Sequence, residues 1–371
     1  MSATTPENRT ERLLSVDVLR GFNMFWLAGG TGLALGLLPF CGESIRARLL
    51  PQFEHAGWVG FTFYDLIFPL FIFVTGLSVV FSLDCVLQTG GLPGAYARIA
   101  RRTLLLFALG VVYNGGVSSG WGDIRWMGVL QRIALCYGIA SLLYCHLNPR
   151  NLIVMSVALL LAYALLLACV PVPGQAAVSW AKETHWAAWL DQHCLPGHKH
   201  EGSWDGNGLL GTLPATTNCL MGVWAARILR TQGLREIQKT VRLAAIGAGL
   251  CALALLASIE IPIIKLLWTP TYAMLAGGLS FLLLALIHGI VDVLQFRAWT
   301  TPFLWIGANA LTIYLARNFM DFNALSVRLT GGGIAEAVGA DAAYLLKVIV
   351  SLAFSLIFLR FLYQRKIFLR V

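Results

Sequence analysis

The chain contains 371 residues, of which 58% are apolar and 12% are charged, and its mean hydropathy is +0.73. Soluble domains contain about 25% charged residues, so this composition excludes a soluble enzyme, a disordered protein and a secreted disulfide scaffold. It predicts a polytopic membrane protein. The 27 basic and 18 acidic residues give a net charge of +9. In a membrane protein such an excess is typical of cytoplasmic loops, so we expect no nucleic-acid partner.

A membrane-spanning helix needs about 20 mostly apolar residues. Runs of this kind predict an all-α bundle of about ten transmembrane helices, at roughly 17–40, 60–83, 103–119, 126–147, 151–171, 209–228, 243–261, 272–293, 301–321 and 343–364. They form one transmembrane domain, 17–371, after an N-terminal segment 1–16, and the longest connection is the loop 172–208. The first run is too long for the apolar core of a signal peptide, so no cleavable signal is expected.

The distribution of basic residues predicts the orientation of the bundle. With the N-terminus in the cytoplasm, fourteen Lys and Arg residues fall inside and seven outside. We therefore expect a multi-pass protein with both termini in the cytoplasm and the loop 172–208 outside. The inside set is Arg9, Arg12, Arg98, Arg101, Arg102, Arg150, Arg230, Arg235, Lys239, Arg242, Arg297, Arg365, Lys366 and Arg370. The outside set is Arg46, Arg48, Arg125, Lys182, Lys199, Lys265 and Arg328.

The eight cysteines form no CxxC pair and lie mostly in apolar runs, where Cys behaves as a small hydrophobic residue. We therefore expect neither a redox motif nor a metal cluster. Cys41 and Cys194 both fall in segments expected outside, where a disulfide could form, and the sequence leaves that pairing open.

Ionisable residues at membrane depth are costly and are functional candidates by default. Asp17 and Arg20 start the first run and form either a local ion pair or an anion-binding site. Asp65 lies five residues into the second run, before Pro69, and either caps the helix or orients a nearby base. His55 precedes that helix at the outer face, and imidazole is the side chain best suited to exchange a proton near neutral pH.

The fourth run contains Gln131 and Arg132. An arginine at this depth must meet a partner or a water-filled cavity, and Asp17 or Asp65 could be that partner. Arg125 lies seven residues earlier, so a continuous helix would project both arginines from one face. Such a face could bind phosphate or carboxylate groups.

The loop 172–208 is rich in aromatic and polar residues. Its tryptophans could anchor the bilayer boundary or form platforms for a sugar. A zinc site on three of its histidines fits no common spacing. Asp205 and Asn207 end the loop at the mouth of the bundle, where a polar substrate could bind. The tryptophans are Trp180, Trp186, Trp189 and Trp204, and the three histidines are His193, His198 and His200.

Two smaller features complete the candidate set. Trp268 belongs to an aromatic outer loop at 265–272, and Asn309 places an amide in the ninth run, where it either bonds a neighbouring helix or contacts substrate. The chain lacks a Walker loop, a GxGxxG after a strand, HExxH and GxSxG, which disfavours an ATP-driven pump.

Six segments, taken in order, resemble one family. SVDVLRG at 15–21 resembles its S-x-D-x-x-R-G, and HAGW at 55–58 followed by DLIFP at 65–69 resembles its H-x-x-W…D-L-x-F-P. GVLQR at 128–132 is similar to its G-V-L-Q-R, and DGNGLLGTLPA at 205–215 to its D-P-E-G-L-L-S-T-x-P-A. LWTP at 267–270 and GANAL at 307–311 also fit. The family is that of heparan-α-glucosaminide N-acetyltransferase-like transmembrane acyltransferases. The resemblance implies a bacterial form without the luminal domain, located in the inner membrane.

The resemblance implies an enzyme that takes acetyl from cytosolic acetyl-CoA and delivers it across the membrane to the amine of a glucosamine-type sugar. His55 matches the family's active-site histidine, with Asp65 beside it, and either carries the acetyl group or acts as a base. We expect the phosphates of CoA to bind basic residues at the cytoplasmic mouth. The expected donor site is Arg20, Arg101, Arg102, Gln131 and Arg132; the expected acceptor site is Trp204, Asp205, Asn207, Trp268 and Asn309.

Two departures from the family pattern concern the acceptor. Gly206 and Asn207 replace the family's P-E, so its glutamate is absent, and Asn23 stands where an acidic residue is common. The acceptor sugar therefore stays open, as does the oligomeric state, with a homodimer among the alternatives. The rival function is transport of an amino sugar or cell-wall fragment, in which the same polar residues would line a pathway.

Overall fold

The computed structural model describes residues 13–118 and 120–369. It is 74% helical, and these residues contain no strand, so the predicted all-α membrane bundle is confirmed. The first helix begins at Leu14. Most of the expected cytoplasmic segment 1–16, including Arg9 and Arg12, therefore lies outside the described residues, as does Arg370.

The first half of the chain forms six α-helices. A π-helical turn, Trp26–Gly30, joins the first two, and 3-10 turns follow at Leu38–Phe40, Leu50–Phe53 and Trp121–Asp123. The helices are α1 (Leu14–Phe25), α2 (Thr31–Leu37), α3 (Glu43–Leu49), α4 (Phe63–Tyr113), α5 (Val129–His146) and α6 (Pro149–Cys169).

The second half contains nine more. A π-helical turn, Gly289–Val293, extends one of them. The helices are α7 (Trp186–Cys194), α8 (Thr212–Arg230), α9 (Glu236–Ala257), α10 (Pro270–His288), α11 (Thr301–Ala308), α12 (Ala310–Phe319), α13 (Phe322–Thr330), α14 (Gly333–Val338) and α15 (Ala340–Gln364).

Helix α4 consists of two antiparallel arms. Its backbone leaves the helical region at Gly91, where φ is +60°, and Pro93 removes a helical donor just beyond it. Tyr64 near the start of α4 and Tyr113 at its end line the same cavity, so the second arm returns toward the level at which the first began. These arms correspond to the two separate runs predicted at 60–83 and 103–119.

Seven helices of the described chain are long and apolar enough to cross a membrane. Helix α8 is long enough but is not among them, because it contains several buried hydroxyl and amide residues. The run predicted at 301–321 is divided into α11 and α12 at Asn309, whose ψ is 31°. The number of crossings therefore stays a prediction.

Glycines allow the helices around the site to approach closely. A Cβ atom on Gly76 of α4 would lie 1.9 Å from the Cys219 carbonyl oxygen of α8, and one on Gly222 of α8 would lie 1.9 Å from the Phe73 carbonyl oxygen of α4. Each glycine thus packs against the partner's backbone, as small residues do in membrane helix pairs. This contact fixes the position of the first α4 arm, which carries Asp65.

Candidate active site

A cavity of about 500 Å³ lies where α4, α5, the loop before α10 and the end of the loop 172–208 converge. We call it the histidine cavity. Its deep wall is apolar and its polar groups gather at one end. The polar and aromatic members of its lining include His55, Trp58, Tyr64, Tyr113, His200, Glu201, Asn207, Lys265, Trp268 and Tyr314.

Three charged or titratable side chains meet at the polar end of this cavity. The Nδ1 atom of His55 lies 2.8 Å from Oδ1 of Asp65. The Nζ atom of Lys265 lies 3.0 Å from the same Oδ1 atom, and 2.8 Å from Nδ1 and 3.3 Å from Nε2 of His55. The Asp65 side chain is fully buried, while the His55 side chain is 55% exposed, so the imidazole is the member that an incoming substrate can reach.

The start of α4 explains why Asp65 is fixed. Thr62 is the N-cap residue, and its side chain and that of Asp65 form a capping box. The Oδ2 atom of Asp65 accepts hydrogen bonds from the backbone N–H groups of Ala56 and Thr62, so Oδ1 is left for His55 and Lys265. Capping and orienting a base were the two alternatives for Asp65, and its geometry serves both.

Lys265 was counted in the sequence only as an outer-loop charge, yet it completes this cluster. Its position next to the matched LWTP segment was the available signal. Its loop is held by a bond from the Gly60 N–H to the Ile263 carbonyl and by one from the Tyr163 hydroxyl to the Leu267 carbonyl. Burial lowers the pKa of the Lys265 ammonium, and the Asp65 carboxylate opposes that shift.

The end of the loop 172–208 is held over the cavity by buried carboxylates. Asp205 accepts two hydrogen bonds from the Arg125 guanidinium, at 2.8 and 3.0 Å. Asp191 accepts from the backbone N–H groups of Asp205 and Leu209, and burial raises its pKa. Asp205 is 1% exposed and does not line the cavity, so its contact with Arg125 holds the end of the loop in place.

The prediction that Arg125 and Arg132 share one helix face is wrong, because α5 begins only at Val129. Arg132 is 1% exposed, donates to the Gly208 carbonyl and lies over the ring of Trp268, 4.9 Å from its centroid. Its direct partner is therefore neither of the carboxylates considered from the sequence.

Gln131 is fully buried and donates to the Arg125 carbonyl. Neither Gln131 nor Arg132 lines the cavity that holds Arg20 and Arg102, two other residues of the expected donor site. Both instead bond backbone carbonyls, those of Arg125 and Gly208, beside the histidine cavity.

The expected acceptor residues separate into two groups. Asn207 and Trp268 line the histidine cavity, whereas Trp204, Asp205 and Asn309 do not. Trp204 is 1% exposed and packs with Ala187, Ala188, Ile264 and Leu267 in a small core beneath the loop. Its position is therefore that of a packing residue and not of a platform for a sugar.

Asn309 lies at the break between α11 and α12 and is 2% exposed. Among the described residues, neither its amide nitrogen nor its amide oxygen has a hydrogen-bond partner.

A second cavity, also of about 500 Å³, lies further along the bundle. We call it the arginine cavity. It lies between α1, both arms of α4, α5 and α11, and its polar lining is Asp17, Arg20, Thr75, Ser78, Ser82, Arg98 and Arg102. Ser78 is 13 residues beyond Asp65, which at 1.5 Å per residue corresponds to about 20 Å along the helix.

The arginine cavity divides the expected donor residues. Arg20 bonds Asp17 at 3.0 Å and Ser78 at 3.1 Å, so the local ion pair predicted for Asp17 and Arg20 is present. Arg102 lies 4.4 Å from the ring centroid of Tyr137. Arg98, which was counted only for topology, also lines the cavity, whereas Arg101 is exposed outside it. Residues 98 and 102 are four apart and share one helix face, whereas residue 101, adjacent to 102, projects in another direction.

Three apolar residues line both cavities: Phe71 on α4, and Leu130 and Ile133 on α5. The two spaces are therefore separated by about one layer of side chains. The histidine end is mixed in charge, and the arginine end carries three arginines and one aspartate among its lining residues.

The remaining sequence alternatives have simple outcomes in the described part of the chain. No group of three or more His, Cys, Asp or Glu side chains is arranged to hold a metal ion within residues 13–118 and 120–369. Cys41 and Cys194 are both free thiols.

No protein-family model matches the chain. It is similar to the curated heparan-α-glucosaminide N-acetyltransferases of Homo sapiens and Mus musculus, at 27% identity to each. The human alignment covers 97% of this chain and 60% of the relative, and the mouse alignment covers 85% and 55%. The chain thus spans little more than half the length of these relatives. The polytopic helical bundle and these two similarities together support a family-level relationship with the heparan-α-glucosaminide N-acetyltransferases.

Proposed function

We propose that this protein is a transmembrane N-acetyltransferase that moves acetyl from cytosolic acetyl-CoA to the amine of a glucosamine-type sugar on the periplasmic side of a bacterial inner membrane. One observation carries the proposal. A cavity lined by His55, whose ring contacts the buried Asp65, and a cavity lined by arginines lie at different levels of the bundle and share the wall of Phe71, Leu130 and Ile133. Two such cavities suit a donor and an acceptor that approach from opposite sides of the membrane.

The arginine cavity suits the donor. CoA carries phosphate groups, and arginine is the residue of choice for phosphate because its guanidinium presents several donors in a fixed geometry. Arg20, Arg98 and Arg102 supply three such groups around one space. The sequence places Arg98 and Arg102 in a cytoplasmic segment, where acetyl-CoA would be available.

The histidine cavity suits the transfer step. The amine nitrogen of the acceptor attacks the thioester carbonyl carbon, the carbon–sulfur bond breaks, and CoA leaves with the sulfur electron pair. The amine loses one proton to the imidazole of His55, which can return it to the leaving thiolate. Asp65 holds the ring at 2.8 Å and stabilises the imidazolium that forms.

A covalent route uses the same residues. His55 would first accept the acetyl group on a ring nitrogen and release CoA, and the amine would then remove the acetyl group from the ring. Acetyl-labelled His55 trapped without acceptor, together with ping-pong kinetics, would identify this route. A requirement for both substrates before CoA release would identify direct transfer.

The acceptor enters where the cavity lining is polar. Asn207, His200 and Glu201 come from the end of the loop 172–208, and Trp58 offers an aromatic wall. Hydroxyl and amine groups of a sugar need such donors and acceptors. Since Asn207 replaces the glutamate of the family pattern, the acceptor need not be the one that the names of the relatives describe.

Transport of an amino sugar is the alternative that the same geometry favours, because two cavities separated by a thin apolar wall also describe an alternating pathway. The two functions differ in what happens to the sugar. A transporter moves it unchanged, whereas a transferase consumes acetyl-CoA and leaves an amide.

The test uses purified protein, acetyl-CoA labelled in the acetyl group, and glucosamine. We expect labelled N-acetylglucosamine, and a rate lowered by about 10²–10⁴-fold in His55→Ala, the range for loss of a general base. His193→Ala is the matched control, because His193 is exposed in the outer loop and bonds only its own helix at the Trp189 carbonyl. Unaltered turnover in His55→Ala would remove His55 from the site, and sugar uptake into vesicles without acetyl transfer would support the transporter.

A further inference from the structure

Lys182, in the loop 172–208, places an ammonium group at the edge of the histidine cavity. Its Nζ atom lies 3.6 Å from Oε2 of Glu201 and 5.9 Å from the ring centroid of Trp58. Glu201 and Trp58 line the histidine cavity, whereas Lys182 does not. A carboxylate beside an aromatic face is a favourable environment for a cation, so the lysine shows where the ammonium group of a ligand could bind.

The two groups that contact Lys182 are held by bonds to the backbone. The Glu201 N–H donates to the Trp204 carbonyl at 3.0 Å, and the buried Trp204 belongs to the small core beneath the loop. The Trp58 indole N–H donates to the Trp180 carbonyl at 2.7 Å. Neither bond involves the Lys182 side chain, so the carboxylate and the ring should keep their positions when that side chain moves away.

The Lys182 side chain itself is held weakly. It is 58% exposed, whereas the Glu201 side chain is 20% exposed. A separation of 3.6 Å is too long for a hydrogen bond, and exposed ion pairs contribute little because water screens the charges and a long side chain must be ordered. The ammonium of a ligand can therefore displace Lys182 from Glu201 at a small cost in free energy.

The charges on the cavity lining separate two ends. Glu201 is the only carboxylate that lines the histidine cavity within the described residues. The lining also includes Lys265, whose Nζ atom lies 2.8 Å from the His55 ring. Because like charges repel at short range, a protonated amine is favoured beside Glu201 and disfavoured beside His55. The first end thus suits an arriving ammonium, and the second suits a free amine.

We propose that Glu201 and Trp58 form an entry site for the ammonium group of the acceptor, and that Lys182 occupies this site while the acceptor is absent. The site selects sugars with a primary ammonium over the same sugars with a hydroxyl in its place. The ammonium releases one proton to water at this exposed end, and the free amine moves on to His55. As a statement about turnover this rests on the proposed function; as a statement about amine binding it does not.

The test measures binding to the full-length protein without acetyl-CoA, by saturation-transfer NMR near neutral pH. The ligands are glucosamine and, as its uncharged counterpart, glucose. Lys182→Met should lower the Kd of glucosamine by about two- to fivefold, because a competing ion pair of about 0.4–1 kcal/mol is removed, and should leave the Kd of glucose unchanged. Lys199→Met is the matched control in the same loop, because Glu201 pairs with Lys182 and not with Lys199 within the described residues.

Glu201→Gln tests the carboxylate and should raise the Kd of glucosamine toward that of glucose. The double variant Lys182→Met/Glu201→Gln should bind glucosamine as Glu201→Gln does, because Lys182 competes only through the carboxylate. In turnover with acetyl-CoA, the two single changes should shift KM for glucosamine in opposite directions and leave kcat unchanged, since the entry site does not touch the reacting atoms.

The inference is overturned if glucosamine binds the unaltered protein no more tightly than glucose does, or if Lys182→Met fails to lower the Kd of glucosamine. It is also overturned if Lys199→Met lowers that Kd equally, or if Lys182→Met lowers it as much in the Glu201→Gln background. Should Lys182→Met not elute as a single folded species, Lys182→Gln replaces it with the same expectation. If binding follows these expectations but no acetyl transfer occurs, only the proposed function fails; if transfer occurs and the variants bind alike, only this inference fails.

Discussion

His185 should make the loop 172–208, whose end lines the histidine cavity, sensitive to acid. It is the N-cap residue of α7, and its Nδ1 atom accepts from the backbone N–H of Ala188 at 3.0 Å. The ring is 2% exposed and lies between Trp58 and Trp204, with centroids 5.9 and 4.6 Å away. Burial lowers the pKa of His185 to about 4, from an ordinary value of 6.5.

The sign of the effect follows from these two values. We call the loop closed when His185 is buried as in the structure, and open when local unfolding exposes His185 to water with its ordinary pKa. Between pH 6.5 and about 4 the open loop binds a proton that the closed loop does not, so the closed loop becomes less stable as the pH falls. At pH 5 almost every open loop and about one-tenth of closed loops would carry the proton, which costs about 2 kcal/mol relative to pH 7, or about 20-fold in the opening equilibrium. Protonation also removes the acceptor that caps α7.

Hydrogen exchange followed by mass spectrometry measures this directly, as protection of the α7 amides corrected for intrinsic exchange rates. His185→Asn is the matched control, because asparagine is a good N-cap acceptor that does not titrate. Asp191 also titrates nearby, with a raised pKa, and its contribution cancels in the comparison. Protection that falls equally in both proteins between pH 7 and 5 would refute the role of His185.

Three further outcomes are expected. Glu201→Gln should raise KM for a cationic amine acceptor by roughly tenfold, about 1.4 kcal/mol, because Glu201 lines the histidine cavity. Glu183 lies in the same loop but is exposed and does not line the cavity, so Glu183→Gln should leave KM unchanged. Equal KM values in the two variants would remove Glu201 from the acceptor site. Arg102→Gln should raise KM for acetyl-CoA more than Arg101→Gln, because only Arg102 lines the arginine cavity, and the opposite ranking would place the phosphates elsewhere. Gly208→Ala puts a methyl group 1.8 Å from a carboxylate oxygen of the loop and should cost at least about 1–3 kcal/mol, seen as a lower Tm; an unchanged Tm would show that the loop end yields easily.

Much of the architecture followed from the sequence, because hydropathy and length act locally. Apolar runs predicted the helices, and the fold-back of α4 agrees with two of them. Breaks such as Asn309 and the polar residues of α8 were less visible, since a window average does not show where a helix ends or which face is buried. Spacing also placed His55 and Asp65 together, because only ten residues and one helix start separate them.

Pairings between distant segments depended on tertiary structure. Lys265 contacts His55, 210 residues away in the sequence, and Arg125 contacts Asp205, 80 residues away. Of the adjacent Arg101 and Arg102, only Arg102 lines the arginine cavity. The sequence by itself determined a membrane bundle with few charges and a histidine beside a carboxylate, because burial of apolar surface and the cost of charge in lipid act on each segment separately. Which charges meet was decided only by packing, because a buried ionisable group is stabilised by whichever partner the neighbouring helices and loops bring within hydrogen-bond distance.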